Sequence, residues 1–531
     1  MLHKHLEANN NIFLQVDSDT DGYTSAAIIY NFIKTIEPEA NIIFNIHPQK
    51  EHGIVLEDVD FSQDLVIIPD AGSNQYDELI ELRQRADVLI IDHHIADIDV
   101  NHEKVVVINN QTSDFFENKS LSGAGMAYKF VQAYSEKYGH GEMYKRYLDL
   151  AAIGIVADSM DTRNLDNNYL IYHGLKNIEN PMIKALLEIR AFSVSSVELP
   201  NKIDIAFYIA PIINGLIRFG TMEEKENFFY ALAEYDLTEK FERTWRGEIK
   251  VETFYQKIAR ESANVKVKQD KSVSDLLPIL QDRIESSDLD KNQIIICKTS
   301  KTNKDEVPQT VTGLVAMKLS VIYNRTVMIV RPVFRGNSEI VYQGSLRASA
   351  ADGFPSFKEF LTDSGLVEYA AGHDMAAGVG IKESNIPKLI EHANEVLADV
   401  DFGSATIEAD AYFEYTFPIQ FIREFAEIAD LYGNGIPQPK FVFDLIMTGN
   451  DYSIIGKRGT TLKMENNGVS FISFRAGDFI EELNNKMSGS RKVRMIGRPE
   501  LNVFNGRTSV QIQIDDLKVL DGEASLFWKK D

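Results

Sequence analysis

Three aspartates at alternate positions, Asp17, Asp19 and Asp21, constrain this chain more than any other feature. They follow a short apolar segment, 11–16, typical of a buried strand, and they precede a helical pattern that is clear from Ser25 onward. Alternate side chains of an extended segment point to the same side, so the three carboxylates would lie together. Crowded carboxylates repel one another, and a divalent cation such as magnesium or manganese relieves that repulsion. An acidic helix N-cap is the alternative, but three aspartates at this spacing favour a metal site.

Short apolar segments alternate with helical patterns through about the first 190 residues, which is typical of an α/β domain with a parallel sheet. Functional groups of such sheets gather at the carboxyl ends of the strands. The aspartates at 17–21, Asp70 and Asp92-His93-His94 each follow a predicted strand, so we expect them to meet in one crevice. Strands are predicted at 11–16, 41–46, 65–69, 88–91 and 104–108.

The length of 531 residues indicates several domains. The single cysteine, Cys297, excludes an intramolecular disulfide and a cysteine-based zinc site, and it fits a reducing compartment. The first residues show no signal-peptide pattern, and no apolar run approaches the ~18 residues needed to span a bilayer. We therefore expect a cytoplasmic protein with no membrane partner.

The remaining patterns divide the chain further. Residues 203–255 are predicted to be largely helical, ending in a long helix over 242–264 and a polar linker at 265–274. A second α/β pattern spans 293–399, and a turn-rich joint at 433–439 precedes five or six short strands of a small β-barrel or sandwich. The predicted units are an α/β domain 1–195, a connecting helical region 196–265, a second α/β domain 266–400, a helical linker 401–435 and a barrel 436–531.

The net charge of −24 argues against a polyanionic partner, but residues 451–531 carry 13 basic and 11 acidic side chains. Basic grooves with stacking aromatics hold single-stranded nucleic acid, whereas barrel aromatics are usually core and strand charges are usually solvated. We favour nucleic-acid binding for the basic cluster and a core position for Phe471. The cluster comprises Lys457, Arg458, Lys463, Arg475, Arg491, Lys492, Arg494, Arg498 and Arg507, interleaved with Phe471, Phe474 and Phe504.

Three further groups add possible ligands. Asp92-His93-His94 brings two imidazoles beside a strand-end carboxylate, which is hard to explain structurally. Asp70 alone would be an ordinary turn residue, and Asp158 alone an ordinary polar residue at a helix end.

Four motifs, taken in their order along the chain, resemble the signature of the DHH phosphoesterase superfamily. They are Asp-x-Asp-x-Asp-Gly, a strand-end Asp, Asp-His-His and Val-Ala-Asp158. Within it the chain is similar to the RecJ family of single-strand-specific 5′→3′ DNA exonucleases, and the likeness covers nearly the whole chain. The resemblance implies a parallel-sheet DHH domain, linking helices, a DHH-associated α/β domain and a C-terminal OB-fold. It is carried further by Leu121–Lys129, Ala210–Arg218, Thr312–Leu319, Gly344–Arg347, Ala371–Gly378, Gly459–Lys463 and Leu501–Gly506.

The resemblance also assigns roles. Two Mn²⁺ or Mg²⁺ ions would be held by Asp19, Asp21, Asp70, His93 and Asp158. The catalytic residues would be Asp92, His93, His94 and Asp17. Asp92 would orient a histidine, and His94 would lie beside the scissile phosphate. Asp17 would either bind a metal directly or act from the second coordination shell. Substrate contacts would come from Ser122, Gly123, Asn214, Arg218, Ser345, Arg347, Gly372, His373, Lys457, Arg458 and Lys463.

The predicted activity is therefore metal-dependent 5′→3′ hydrolysis of single-stranded DNA in recombination or repair, with a single-strand-binding protein or a helicase as a candidate partner. A phosphodiesterase for short oligoribonucleotides or cyclic dinucleotides is the main alternative, and a non-catalytic nucleic-acid-binding scaffold is another. Several positions depart from the RecJ pattern, among them Asn168, Ile212 and Ala371, and the chain begins close to its first motif. We expect a short or missing N-terminal extension and a specialised version of the phage or mobile-element kind.

Overall fold

The computed structural model describes residues 1–48, 51–59, 62–96, 101–234, 238–303, 306–335, 339–349, 356–400, 408–456, 459–474, 476–504 and 507–523. The N-terminal lobe is built on a five-stranded sheet that is all-parallel, as the sequence predicts, and its strand order is β2-β1-β3-β4-β5. The order reverses between β1 and β3, and ligand crevices of open α/β sheets form outside the carboxyl strand ends at such a point. The strands are β1 Ile12–Val16, β2 Ile42–Ile46, β3 Leu65–Pro69, β4 Asp87–Asp92 and β5 Val105–Asn109.

The second helix of this lobe, Thr20–Ile36, is buried on every side from Thr20 to Ile33, because it lies between the sheet and two neighbouring helices. A helix that is apolar all round belongs in a core, and here it fixes the aspartates at its start relative to β1. The helices are α1 Leu2–Glu7, α2 Thr20–Ile36, α3 Tyr76–Leu82, α4 Gly123–Tyr138, α5 Leu148–Ala157, α6 Leu165–Lys176 and α7 Pro181–Ile189.

The connecting region contains a β-hairpin that the sequence analysis missed. The predicted helix over 242–264 is wrong in its first part, because 240–253 forms an antiparallel pair of strands. Arg246 and Gly247 at the turn both have positive φ, 52° and 84°, as a type I′ turn requires. The elements are α8 Lys202–Asp204, a π-helical turn Ile205–Ile209, α9 Ala210–Phe219, α10 Met222–Leu232, β6 Lys240–Trp245, β7 Glu248–Thr253 and α11 Phe254–Ser286.

The predicted linker at 265–274 is also wrong, since it lies inside the long helix α11. Val265, Gln269 and Val273 recur every four residues and are buried on one face of that helix. The polar residues between them face solvent. Because these residues are numerous, the helical spacing of the apolar residues is hard to recognise in the sequence. The helix starts at a capping box in which Thr253 and Gln256 satisfy each other's backbone N–H groups.

The second α/β unit carries a mixed sheet in the order β11-β12-β10-β9-β8, in which only β8 and β9 are parallel among the described strands. The predicted strands at 294–297, 327–330 and 340–343 all belong to it. Its elements are β8 Ile294–Lys298, α12 Thr312–Tyr323, β9 Thr326–Arg335, β10 Glu339–Arg347, α13 Phe357–Asp363, β11 Val367–His373, β12 Ala376–Lys382 and α14 Ile386–Val396.

The C-terminal unit is a seven-stranded sheet in the order β13-β14-β18-β19-β17-β16-β15 around an aromatic core. Phe471 is buried there against Phe443, with ring centroids 5.0 Å apart, which confirms its predicted core position. The elements are β13 Ala411–Glu414, α15 Ile419–Glu427, β14 Phe441–Met447, β15 Tyr452–Ile455, β16 Thr461–Asn466, β17 Val469–Ser473, α16 Gly477–Lys486, β18 Arg491–Phe504 and β19 Arg507–Glu523. Among the described residues, no helix combines the length and apolarity that a bilayer crossing demands.

A buried carboxylate anchors this unit. Asp444 on β14 is fully buried and accepts two hydrogen bonds from the Arg494 guanidinium on β18, at 2.7 and 2.8 Å. Tyr412 donates a third at 2.8 Å, and the Lys492 ammonium lies 3.1 Å away. The hydrogen bond from Arg494, opposed by burial, lowers the pKa of Asp444 to about 2. The ion pair therefore ties β14 to β18.

We expect Arg494→Gln to lower the free energy of unfolding of the C-terminal unit by about 1–3 kcal/mol at pH 7, because it leaves a buried carboxylate short of its main partner. The difference from the parent protein should shrink as the pH falls from about 4 towards 2, where Asp444 becomes protonated and the contribution of the pair is lost. Calorimetric melting at several pH values measures this. Lys518→Gln, an exposed cation opposite Arg494, is the matched control, and equal melting of all three proteins would contradict the prediction.

Candidate metal centre

Four side chains from separate elements meet at the carboxyl end of the N-terminal sheet. The His93 Nε2 atom lies 3.2 Å from Asp70 Oδ1, 3.6 Å from Asp158 Oδ2 and 3.9 Å from Asp21 Oδ2. Asp70 and His93 follow β3 and β4, Asp21 lies in the first turn of α2, and Asp158 ends α5. The structure thus brings these four predicted ligands into one crevice.

Asp70 is the residue whose surroundings fit a cation most clearly. Its Oδ1 atom is buried, and although His93 Nε2 lies 3.2 Å away, no group among the described residues meets it with hydrogen-bond geometry. Its backbone adopts a positive φ of 66°, which is uncommon for residues other than glycine, although aspartate adopts it more readily than most. A buried carboxylate oxygen without a donor is costly, and a metal ion would satisfy it. The residues present therefore fit a divalent cation.

The electrostatics agree with that fit. Burial, followed by the charges of Asp21 and Asp19, raises the pKa of Asp70 well above its usual range. The same causes raise the pKa of Asp158 to about 8. Burial lowers the pKa of His93, which favours the neutral imidazole that can ligate a metal. Carboxylates packed this closely remain ionised only if a cation neutralises them.

The first turn of α4 holds Asp21 in place. Its Oδ1 accepts hydrogen bonds from Ser122 Oγ at 2.9 Å and from the Ala124 N–H at 3.0 Å, and its Oδ2 accepts one from the Gly123 N–H at 2.7 Å. A helix N-terminus favours negative charge. Ser122 and Gly123 were predicted to contact substrate, but both are buried, and Asp21 is the group that they contact.

Asp17 is fixed from the other side of the crevice. Its Oδ2 accepts a hydrogen bond from His52 Nδ1 at 2.8 Å, and its Oδ1 accepts one from the Gly53 N–H at 2.9 Å. Both oxygens thus have protein donors, which favours the supporting role over direct ligation. Asp19, by contrast, accepts one hydrogen bond within α2, from the Gly22 N–H at 3.0 Å. Sequence reasoning missed His52, a single loop histidine with no motif around it.

Asp92 positions His94. Its Oδ1 accepts hydrogen bonds from the His93 and His94 N–H groups and from His94 Nδ1 at 2.8 Å, and its Oδ2 accepts one from the Ser73 N–H at 3.1 Å. Although burial opposes it, the hydrogen bond with His94 holds the pKa of Asp92 well below its usual range. The same bond, again against burial, raises the pKa of His94 to about 9. The His94 side chain is 55% exposed, so it can meet a substrate.

The connecting helices and the second α/β unit each contribute an arginine, Arg218 and Arg347. Asn214 on α9 accepts a hydrogen bond from the Thr20 N–H at 3.1 Å, beside the metal ligands, and Arg218 lies one helical turn further on. Burial and the repulsion from the charge of Arg218 lower the pKa of Arg347 at the end of β10. Arg218 Nε is buried and has no hydrogen-bond partner among the described residues.

Arg347 also lies against the start of α12, where a Cβ added to Gly313 would lie 2.7 Å from its Nη2 atom. Ser345 Oγ contacts Thr312 Oγ1 at the same place, 2.9 Å away. Two guanidinium groups beside a helix N-terminus form an environment that favours a phosphate.

Of the other predicted substrate contacts, Gly372 and Lys463 lie within the described residues. Lys463 pairs with Glu465 at 2.7 Å, and Arg498 pairs with Asp515 at the same distance. Arg494 and Lys492 likewise pair with Asp444 of the neighbouring strand. Nucleic-acid binding by these four cations stays a prediction. Gly372 lies in β11 with φ 122°. The side chains of His373, Lys457, Arg458, Arg475, Phe504 and Arg507 lie outside the described residues.

Comparison with known proteins agrees with this arrangement. The model of the DHH family N-terminal domain matches residues 11–155, and the model of the RecJ OB domain matches residues 416–516. The chain is 34% identical over 526 residues to YorK of the SPbeta prophage of Bacillus subtilis, named as a single-strand DNA-specific exonuclease, covering 97% of this chain and 89% of YorK. It is 23% identical to the single-stranded-DNA-specific exonuclease RecJ of Bacillus subtilis, covering 96% of this chain and 61% of RecJ.

The fold matches solved structures as well. A manganese complex of RecJ from Thermus thermophilus superposes with a TM-score of 0.71 at 22% identity, covering 98% of this chain and 71% of that one. A magnesium complex of the same protein gives 0.66 at 21% identity, covering 99% of this chain and 70% of that one.

We expect Gly123→Ala to weaken Mn²⁺ binding at least tenfold, because the added Cβ would lie 2.1 Å from Asp70 Oδ1 and displace that carboxylate. Isothermal titration with Mn²⁺ measures the affinity. Gly477→Ala at the start of α16 is the control, since an added Cβ meets no atom within 4 Å there. Unchanged Mn²⁺ affinity in a folded Gly123→Ala protein would show that Asp70 is not a ligand.

Proposed function

Because this chain belongs to the DHH family and, within it, to the RecJ-type single-strand DNA-specific exonucleases, we propose that it degrades single-stranded DNA from the 5′ end by metal-dependent hydrolysis. The observation that carries the proposal is the donorless Asp70 oxygen among Asp21, His93 and Asp158. Such a buried, acidic and donor-poor crevice suits divalent cations and the phosphodiester chemistry that they support.

Two cations would be held by Asp19, Asp21, Asp70, His93 and Asp158. When bound, they supply an activated water and neutralise charge at the phosphate. The protein's own contribution is rigidity, since the α4 N-terminus holds Asp21 and the loop residues His52 and Gly53 hold Asp17. Reacting groups held in one geometry avoid reorganisation during the reaction.

His94 is the residue that meets the scissile phosphate in this proposal. Asp92 holds its ring through Nδ1, and the ring centroid lies 4.4 Å from that of His93. The imidazole can therefore donate a hydrogen bond to a phosphate oxygen close to the metal ligands. No side-chain nucleophile is needed, because water attacks the phosphorus.

Arg218 and Arg347 explain how a strand end is held. Two guanidinium groups beside the start of α12 would bind the phosphate at the 5′ end, while the next phosphodiester lies among the metal ligands. This placement supports the 5′→3′ direction, which the resemblance to RecJ also implies, and a role in DNA recombination or repair follows from that activity.

The test of the proposed function is digestion of 5′- and 3′-labelled single strands of DNA and RNA, in parallel, with Mn²⁺. We expect release of 5′-terminal nucleotides from DNA, and a loss of at least about a thousandfold in Asp158→Asn, because it removes a ligand from the crevice. Asp166→Asn, an exposed acid on α6, should remain active. A preference for short RNA would favour the oligoribonucleotide phosphodiesterase, and metal-dependent activity that survives Asp158→Asn would overturn the assignment of the centre.

We expect Arg347→Gln to raise the KM for a 5′-phosphorylated strand about 10- to 100-fold, which is the usual cost of losing a charged hydrogen bond to phosphate. A strand with a 5′-hydroxyl should be affected much less, since it lacks the phosphate that Arg347 would bind. Steady-state kinetics on the two strands measure the difference. Equal effects on both strands would contradict a role at the terminal phosphate.

A further inference from the structure

The β6–β7 hairpin is a two-stranded sheet that pairs with no other described strand. It packs on the start of α11, where Phe241 and Phe254 lie with ring centroids 6.4 Å apart. Beyond that contact its strands are largely exposed, including Trp245 at 40%, Ile249 at 69% and Val251 at 55%. A two-stranded hairpin of this size is only marginally stable by itself. Its exposed aromatic and aliphatic side chains do not contribute to a core, so their presence needs an explanation other than stability.

One face of the hairpin combines an aromatic ring with cations. The Arg246 guanidinium lies 4.4 Å from the centroid of the Trp245 ring, and the Lys250 ammonium lies 4.3 Å from it. Neither cation forms an ion pair within the described part of the chain. The cross-strand pairs Arg243–Lys250 and Trp245–Glu248 place these side chains on the same face.

This face is basic in a protein that is strongly acidic. At the end of the hairpin nearest α11, the Lys257 ammonium lies over the Phe241 ring. Arg243 and Arg260 both pair with Glu252, so the charge of that acid is neutralised. Glu248 remains as the acid beside Trp245. The opposite face carries the apolar side chains of Ile249 and Val251, and the cation that it holds, Lys240, is balanced by the acid Glu242. The aromatic ring of Trp245 and the excess of cations therefore lie on one side.

We propose that the Trp245 face binds single-stranded DNA, with a base stacked on the indole and the neighbouring phosphates contacted by Arg246 and Lys250. Stacking on an aromatic beside basic groups is how proteins hold single strands without reading sequence. The inference rests on the proposed function, and it adds a second strand contact to the one at the metal centre.

The position of the hairpin defines what this contact does. It joins α11 at Phe254, whereas α9, which carries Asn214 and Arg218, packs against the same helix near Lys266. Twelve helical residues separate the two places, about 18 Å along the axis. The hairpin therefore engages nucleotides away from the cleaved end and favours long strands over short ones.

Intrinsic fluorescence tests the contact directly, because the chain has two tryptophans, Trp245 and Trp528. Trp528→Phe leaves Trp245 as the sole reporter. We expect an oligothymidine of about 20 nucleotides, longer than one OB-fold site, to quench its emission in buffer without divalent cations, where no hydrolysis occurs. Binding of the strand without quenching would overturn the inference.

Trp245→Ala should weaken binding of the same strand about 5- to 100-fold, the cost of one lost stacked base, while Trp245→Phe retains most of the affinity. Ile249→Ala on the opposite face is the matched control and should bind normally. Reduced binding by Ile249→Ala with normal binding by Trp245→Ala would instead indicate a protein-docking face and contradict the proposal. If no variant and not even the parent protein binds single strands, the proposed function itself fails.

Discussion

The repulsion among buried carboxylates at the end of β3 is the constraint on which the N-terminal lobe depends. Asp21 and Asp17 are each held by two or more protein donors, whereas Asp70 Oδ1 has none among the described residues. The fold therefore fixes Asp21 and Asp17 through protein hydrogen bonds, whereas the Asp70 oxygen is suited to binding a cation. This division explains why Gly123 and Gly22 carry no side chain: an added Cβ at either would lie within 3 Å of Asp70 or Asp17.

The sequence was sufficient for those parts of the site that follow from strand ends. Asp70 and His93 come directly after apolar strands, and parallel strands end at one edge, so their meeting followed from the pattern alone. The contacts of Asp17 could not be found in this way, because His52 and Gly53 are more than 30 residues away in a loop. The hairpin was missed because its turn, Arg246-Gly247, lies between segments that also suit a helix.

Counting charges along the sequence does not show which basic residues of the C-terminal unit pair with acids, for a physical reason. Strand side chains face partners on neighbouring strands that are distant in sequence, so Arg494 meets Asp444 and Arg498 meets Asp515. A cation that neutralises a buried acid stabilises the domain, and its charge is no longer available to a phosphate. The match to the RecJ OB domain identifies the unit, but the number of its basic residues does not locate a strand-binding surface on it.

The same reasoning shows how a chain with a net charge of −24 can hold a polyanion. What matters is a local excess of cations without acidic partners. Among the described residues, Arg218 with Arg347 near α12 and Arg246 with Lys250 beside Trp245 provide such an excess. The acidic surface elsewhere repels phosphates, which favours contacts with a strand at these places. Because helix α11 extends from the hairpin past α9, it sets the spacing between them, and a rigid spacer of this kind gives one strand two simultaneous contacts.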